Sequence, residues 1–196
     1  MDASNPMKIL VWYADFQTAV FLDRNMTELG RLNVAEAGWP SVSSIAMASD
    51  ANLWIYDMAS FKLLKITTSG VKFIESEPLS FGFHDLDDVY QRPVIIKENG
   101  ERLFLCFERF GIYAFDIFGQ NPDIIFGSSL FEKFEIIGNT ITWFHSLRSR
   151  IEISDLSNSL NKGSSIRAQF LLNKVFWFSQ KRVFVRSESG VEVYGF

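Results

Sequence analysis

The stretch LVWYADFQTAVFLD, Leu10 to Asp23, returns without a gap as LFLCFERFGIYAFD, Leu103 to Asp116. Each reads as a strand, a short polar turn and a second strand that ends in an aspartate. Looser copies follow the same frame: SIAMASDANLWIYD from Ser44 to Asp57, TWFHSLRSRIEISD from Thr142 to Asp155, and RVFVRSESGVEVYG from Arg182 to Gly195. Val, Ile, Phe, Tyr and Trp fill the runs, and Asp, Asn, Ser and Gly fill the gaps, which is the division of labour of strands and turns. Leu53 to Tyr56 and Val183 to Val185 are apolar on both faces, as in a sheet covered on two sides. Ile151 to Ile153 and Val191 to Tyr194 alternate with polar residues, as in an outer strand. Asn99-Gly100 supplies a tight hairpin turn. Helical periodicity is weak, and the best short helix spans Asp85 to Tyr90.

The copies end at positions 23, 57, 116, 155 and 195, with spacings of 34, 59, 39 and 40 residues. A period near 40 built of strand pairs predicts propeller blades. A jelly roll or immunoglobulin sandwich has short strands but no recurring hairpin of this kind. The expectation is an all-β, β-propeller-like repeat of about five four-stranded or partial blades, its ring closed or incomplete. It forms a single domain over 1–196. The long second spacing predicts an inserted loop of roughly 20 residues within Ser69 to Pro93. The Ser- and Asn-rich Leu156 to Ser165 reads as a loop.

Composition narrows the function classes. The chain has 196 residues, 47% of them hydrophobic and 20 of them Phe, too apolar for a solvated coil. No run reaches the ~18 apolar residues of a membrane-spanning helix, so no transmembrane segment is expected. A net charge of -4 argues against a nucleic-acid partner, which would select a basic face. Cys106 stands alone and so forms no internal disulfide. There is no phosphate-binding glycine loop, no Gly-x-Ser-x-Gly elbow, no Cys-x-x-Cys pair and no His-Glu-x-x-His motif. Asn25-Met26-Thr27 fits a glycosylation sequon. Met1 to Pro6 reads MDASNP and carries no signal-peptide pattern, which points to the cytoplasm if Met1 is the natural start.

NPMKILVWYADFQTAVFLDRNMTEL (Asn5 to Leu29), ANLWIYDMASFKLLKI (Ala51 to Ile66) and GIYAFDIFG (Gly111 to Gly119), in that order, resemble a group of uncharacterised propeller-like proteins exported by Gram-negative bacteria. The resemblance covers most of the chain. It implies a periplasmic or cell-envelope location, with a signal peptide and further strands ahead of the Asn-Pro-x-Lys-Ile-Leu stretch that this sequence does not show. It implies no activity and no catalytic residues.

Four groups of residues carry chemistry worth weighing. The aspartates at 23, 57, 116 and 155 form either a ring of cation ligands or a set of turn formers, and the turn role is favoured because a carboxylate at a strand end accepts N–H bonds from the turn that follows. The inserted segment holds Glu75, Glu77, His84, Asp85, Asp87 and Asp88, oxygen-rich enough for calcium and suited to acid and base roles, although no EF-hand spacing is present. Phe81, Phe83 and Tyr90 flank it, with Phe110 and Phe118 elsewhere, as rings on which a glycan or peptide would stack. His145 and Cys106 read as strand residues of the core.

Two functions follow. The first is a non-catalytic propeller that presents its loops to a protein or glycan partner, with Phe81, Phe83, His84, Asp85, Asp87, Asp88 and Tyr90 as the contact and no cofactor. The alternative is a propeller-fold enzyme, a lyase or glycoside hydrolase, using the acidic cluster from Asp85 to Asp88. A third expectation is a repeat fragment stable only within a larger ring.

Overall fold

The computed structural model describes residues 1–196 except 4, 6, 80–92, 94, 108–110, 128–130, 138–139, 146–147, 156–163, 169–170, 172–174, 180–181 and 196. Its strands fall into five small antiparallel sheets, the blades of a β-propeller-like repeat. The first sheet holds β1 (Ile9–Tyr13), β2 (Thr18–Leu22) and β3 (Glu28–Asn33). The second holds β4 (Val42–Met47), β5 (Leu53–Asp57), β6 (Lys62–Ile66) and β7 (Lys72–Glu75). The third holds β8 (Ile95–Glu98), β9 (Arg102–Phe107), β10 (Gly111–Asp116) and β11 (Asp123–Gly127). The fourth holds β12 (Phe131–Ile137), β13 (Thr140–His145), β14 (Arg150–Asp155) and β15 (Ser164–Arg167). The fifth holds β16 (Phe176–Ser179), β17 (Arg182–Ser187) and β18 (Gly190–Gly195). In every sheet the strands lie in chain order. A 3-10 turn, Ala14–Phe16, joins β1 to β2.

The first sheet is wider than its three strands. On the side of β1 away from β2, Asp2 pairs with Leu10 through two backbone hydrogen bonds of 2.8 Å. Asp2 thus occupies the position that β8 holds beside β9. The hairpin β1–β2 then matches β9–β10, β13–β14 and β17–β18, the second and third positions of their blades.

That frame corrects one element of the sequence reading. The hairpin that ends in Asp57 is β4–β5, the first and second positions of its blade. The structural counterpart of Asp23 and Asp116 is Thr67, as the turns below show. The spacings from 23 to 67 and from 67 to 116 are 44 and 49 residues, in place of 34 and 59. Part of the apparent insertion is therefore a slip of one strand. The remainder is the connection from β7 to β8, residues 76–94, which is longer than the β3 to β4 connection, residues 34–41.

The chain divides into two compact units, Met1–Phe107 with Ile112–Ile124, and Glu108–Gly111 with Ile125–Phe196. In the first, Leu10, Ala19, Phe21, Leu32, Val42, Ile45, Leu53, Ile55 and Leu64 form one core across the first two blades. Alternation explains the choice: Ala19 and Phe21 of β2 point into it, whereas Thr18, Val20 and Leu22 point away. Trp54, Tyr56, Phe104 and Phe107 are fully buried beyond it, with Tyr56 and Tyr113 each edge-on to Phe107. In the second unit, Phe144 and Ile151 pack with Phe176, Phe178, Val183 and Val185, and the Phe144 and Phe176 rings meet edge-to-face at 5.2 Å.

Candidate functional site

The recurring aspartates are turn formers wherever their turns are described. Asp23 Oδ1 accepts the N–H groups of Asn25 and Thr27, both at 2.8 Å. Asp116 Oδ1 accepts those of Phe118 and Gln120, both at 2.9 Å. Thr67 Oγ1 does the same for Ser69 and Val71, at 3.3 and 3.0 Å. In all three turns the first N–H donates to the fifth carbonyl, and the fourth N–H donates to the first carbonyl. The fourth residue takes a positive φ: 65° at Met26, 87° at Gly70 and 72° at Gly119. Asp57 closes a different turn, its oxygens accepting from Ala59 N, Ser60 N and Ser60 Oγ. Burial pushes the Asp116 carboxyl up, but its bonds from Gln120, Asn121 and Phe118 outweigh that and hold it below the ordinary range. These oxygens are occupied by their own loops. The turn after Asp155 lies outside the described residues.

Of the residues singled out from sequence, Phe81, Phe83, His84, Asp85, Asp87, Asp88, Tyr90 and Phe110 lie outside the described residues. Glu75 is described, and Lys62 and Lys72 both donate to it, Lys62 most strongly, bringing its carboxyl down to about 2. Phe118 stands exposed in its turn. Cys106 is buried in β9. His145 is buried at the end of β13, and its Nδ1 makes no hydrogen bond among the described residues. No group of three or more His, Cys, Asp or Glu among the described residues is placed to hold a metal ion. No helix among them is long and apolar enough to cross a membrane.

Sequence reasoning missed a buried acidic centre in the first unit. Glu98, at the end of β8, has a side chain only 1% exposed. Its Oε1 accepts from Ser49 N at 2.9 Å and from Ser49 Oγ, while Oε2 accepts from Trp54 Nε1. Lys65 Nζ lies 3.9 Å from the same Oε2 and 2.8 Å from Asp50 Oδ2, above the Trp54 ring. With both oxygens engaged, Glu98 joins the second blade to the third. Its signal was absent from the sequence because the partners are 44 and 49 residues apart.

Two further polar contacts join the first blade to the second. Gln17 accepts Val42 N–H at 2.8 Å and donates to Val42 C=O at 3.0 Å, so its side-chain amide stands in for a strand residue beside the start of β4. At the other end of β4, Met47 N–H donates to Asp2 Oδ2 at 2.9 Å.

The open surface of the first blade is apolar. A groove of about 630 Å³ is lined by Tyr13, Phe16, Val20, Leu22 and Met26, with Glu28 and Arg31 at its polar side. Phe16 is 74% exposed, and Tyr13 and Met26 are at least half exposed. The Arg31 guanidinium donates to both Glu28 oxygens, so the two charges neutralise each other within the groove. The groove follows from the alternation of β2: every second residue of that strand faces the core, and the others line the groove.

Neither a known protein family nor a curated protein matches the sequence. Solved structures do match in fold. A protein of unknown function from Bacteroides caccae shares 13% identity over 94% of this chain and 68% of its own, with a TM-score of 0.59. A streptogramin B lyase shares 14% identity over 99% of this chain and 67% of its own, at 0.57. KlAtg21, solved in complex with the coiled coil of AgAtg16, shares 13% identity over 100% of this chain and 64% of its own, at 0.58. At such identities the likeness is one of fold, and the chain takes its place among all-β repeat proteins of propeller type.

Proposed function

We propose that this protein is a non-catalytic binding module whose blades present loops and an apolar groove to a protein partner. The observation that carries the reading is the groove of Tyr13, Phe16 and Met26, where large apolar side chains stand in solvent although the core of the same blade is well filled. The described turn aspartates and Glu98 support it, since each commits at least one oxygen to structure. Among proteins of like fold, KlAtg21 is bound to a coiled coil. A second contact falls on Phe81, Phe83, His84, Asp85, Asp87, Asp88 and Tyr90 in the β7 to β8 connection. A cell-envelope location follows from the resemblance and is part of the proposal, to be checked by fractionation with an antibody to the chain.

The test is capture of partners by in-cell cross-linking, comparing the native chain with Tyr13→Ala/Phe16→Ala and with a deletion of 80–92. Loss of the same cross-linked partner in the first variant supports the groove. Unchanged capture by both variants removes the reading, and binding of a glycan array with no protein cross-link moves it to the glycan form. The enzyme reading, a lyase or glycoside hydrolase acting through His84, Asp85, Asp87 and Asp88, rests on the acidic cluster and on the streptogramin B lyase of like fold. Turnover abolished by Asp87→Ala/Asp88→Ala would favour it.

A further inference from the structure

We propose that the second blade carries an internal water site at a bulge in β4, where the hydroxyls of Ser43, Ser44 and Tyr56 bind ordered water. The proposal stands apart from the groove and from the partner reading above.

The bulge is read from the pairing of β4 with β5. Val42 lies opposite Asp57 and Ser44 opposite Tyr56, so Ser43 is an extra residue left out of the register. Directly opposed residues share one face of a sheet. Ser44 and Tyr56 therefore lie together on the side away from Ile45, Leu53 and Ile55, which belong to the core shared with the first blade. On that side the Tyr56 ring meets Phe107 of the third blade edge-on, with ring centroids 6.5 Å apart. Tyr56 is fully buried, and Ser44 is 5% exposed.

The oxygens of all three hydroxyls are sealed from solvent, and none has a hydrogen-bond partner among the described residues. A buried hydroxyl forfeits the bonds it made to water in the unfolded chain, a cost that folded proteins meet with a partner, often an ordered water. Burial, and after it the charge of Asp57, pushes the Tyr56 phenol up, so it stays a neutral O–H group at physiological pH. The chemistry of the group selects its ligand. Three neutral hydroxyls offer no charge to balance an ion. Asp57, next in the chain, points to the other face by alternation, and its oxygens accept from Ala59 N, Ser60 N and Ser60 Oγ of its own turn. Water donates and accepts, as each hydroxyl does, and is small enough for a site closed to solvent. The irregular step in β4 thus has a role: it gathers polar groups that a regular strand would separate, and water completes their bonds.

The experiment compares the full chain with Ser44→Ala, Tyr56→Phe and the double variant, all conservative enough to fold. Magnetic relaxation dispersion of water oxygen detects internal waters by their long residence, and urea unfolding reports stability. The double variant is expected to lose a long-lived water that the native chain retains. Each single variant is expected to raise the unfolding constant about tenfold, because it removes a bond that is made in the folded state. Equal dispersion in the native chain and the double variant overturns the proposal, even where the variants are less stable, since the hydroxyls then bond to protein groups. Variants that match or exceed the native stability overturn it as well, because removing a bare buried hydroxyl relieves a cost instead of breaking a bond.

Discussion

The junction between blades is built in two ways in this chain. In the first unit, side-chain polar groups are added to the apolar core that the first two blades share: Gln17 and Asp2 hold the two ends of β4, and Glu98 gathers Ser49, Trp54 and Lys65. In the second unit, the described junction is apolar, with Phe144 and Ile151 against Phe176, Val183 and Val185. The polar form is directional and sets the register of one blade against the next. The apolar form is adaptable, and its strength grows with the area buried. The first unit thus adds polar registration to apolar adhesion, whereas the described junction of the second rests on adhesion.

That contrast is open to attack from several sides. The largest effect is expected at Phe176→Ala, which empties a filled space and costs about 4 kcal/mol, independent of salt. Urea denaturation followed by tryptophan fluorescence measures it, and a loss under 1 kcal/mol would show that the junction has other support. Glu98→Ala leaves the Trp54 Nε1–H and the Ser49 N–H and O–H without their acceptor, at a cost of about 3 kcal/mol. If Glu98→Ala were neutral while Phe176→Ala was severe, the polar centre would be ornament and the comparison would fail. Gln17→Ala strips both backbone groups of Val42 of their partner, a loss of about 2 kcal/mol. Amide exchange at Val42 should quicken first.

The smallest effect concerns a turn rather than a junction. Asp116→Ala removes acceptors of two backbone N–H groups and one side-chain amide, a loss of about 1 kcal/mol near neutral pH. Its folded pKa lies below its unfolded one, so the stabilisation is complete above the unfolded value and disappears as pH falls through the folded value. The native chain and Asp116→Ala should begin to converge in stability as pH falls below about 4. Parallel curves down to pH 2 would assign the shift elsewhere.

The hairpins were legible in the sequence because apolar alternation and turn residues act over a few positions. The blade count followed from them. The register slip at Asp57 shows the limit: two successive turns of the second blade begin with a capping oxygen, and the one equivalent to Asp23 is a threonine, Thr67. A search for a recurring aspartate selects the wrong turn, since the physics asks only for an acceptor at the first position and a tolerated positive φ at the fourth. Thr67→Asp should accordingly be neutral within about 0.5 kcal/mol. Glu98 was illegible because nothing local distinguishes a charged strand end that faces solvent from one that faces another blade. The groove at Tyr13 and Phe16 escaped for the opposite reason. In so aromatic a chain, an apolar residue gives no sign of which side of its strand lies open.

The contacts made by Gln17, Asp2 and Glu98 also bear on the order of assembly. They reach across 25, 45 and 49 residues, and each joins a blade to the next one made. During synthesis, the second blade can dock on the first as soon as β4 has emerged, and the third can lock when β8 arrives. Through these contacts the growing chain can fix its first blades before the later ones are made, which shortens the time their apolar strand faces spend uncovered at the ribosome.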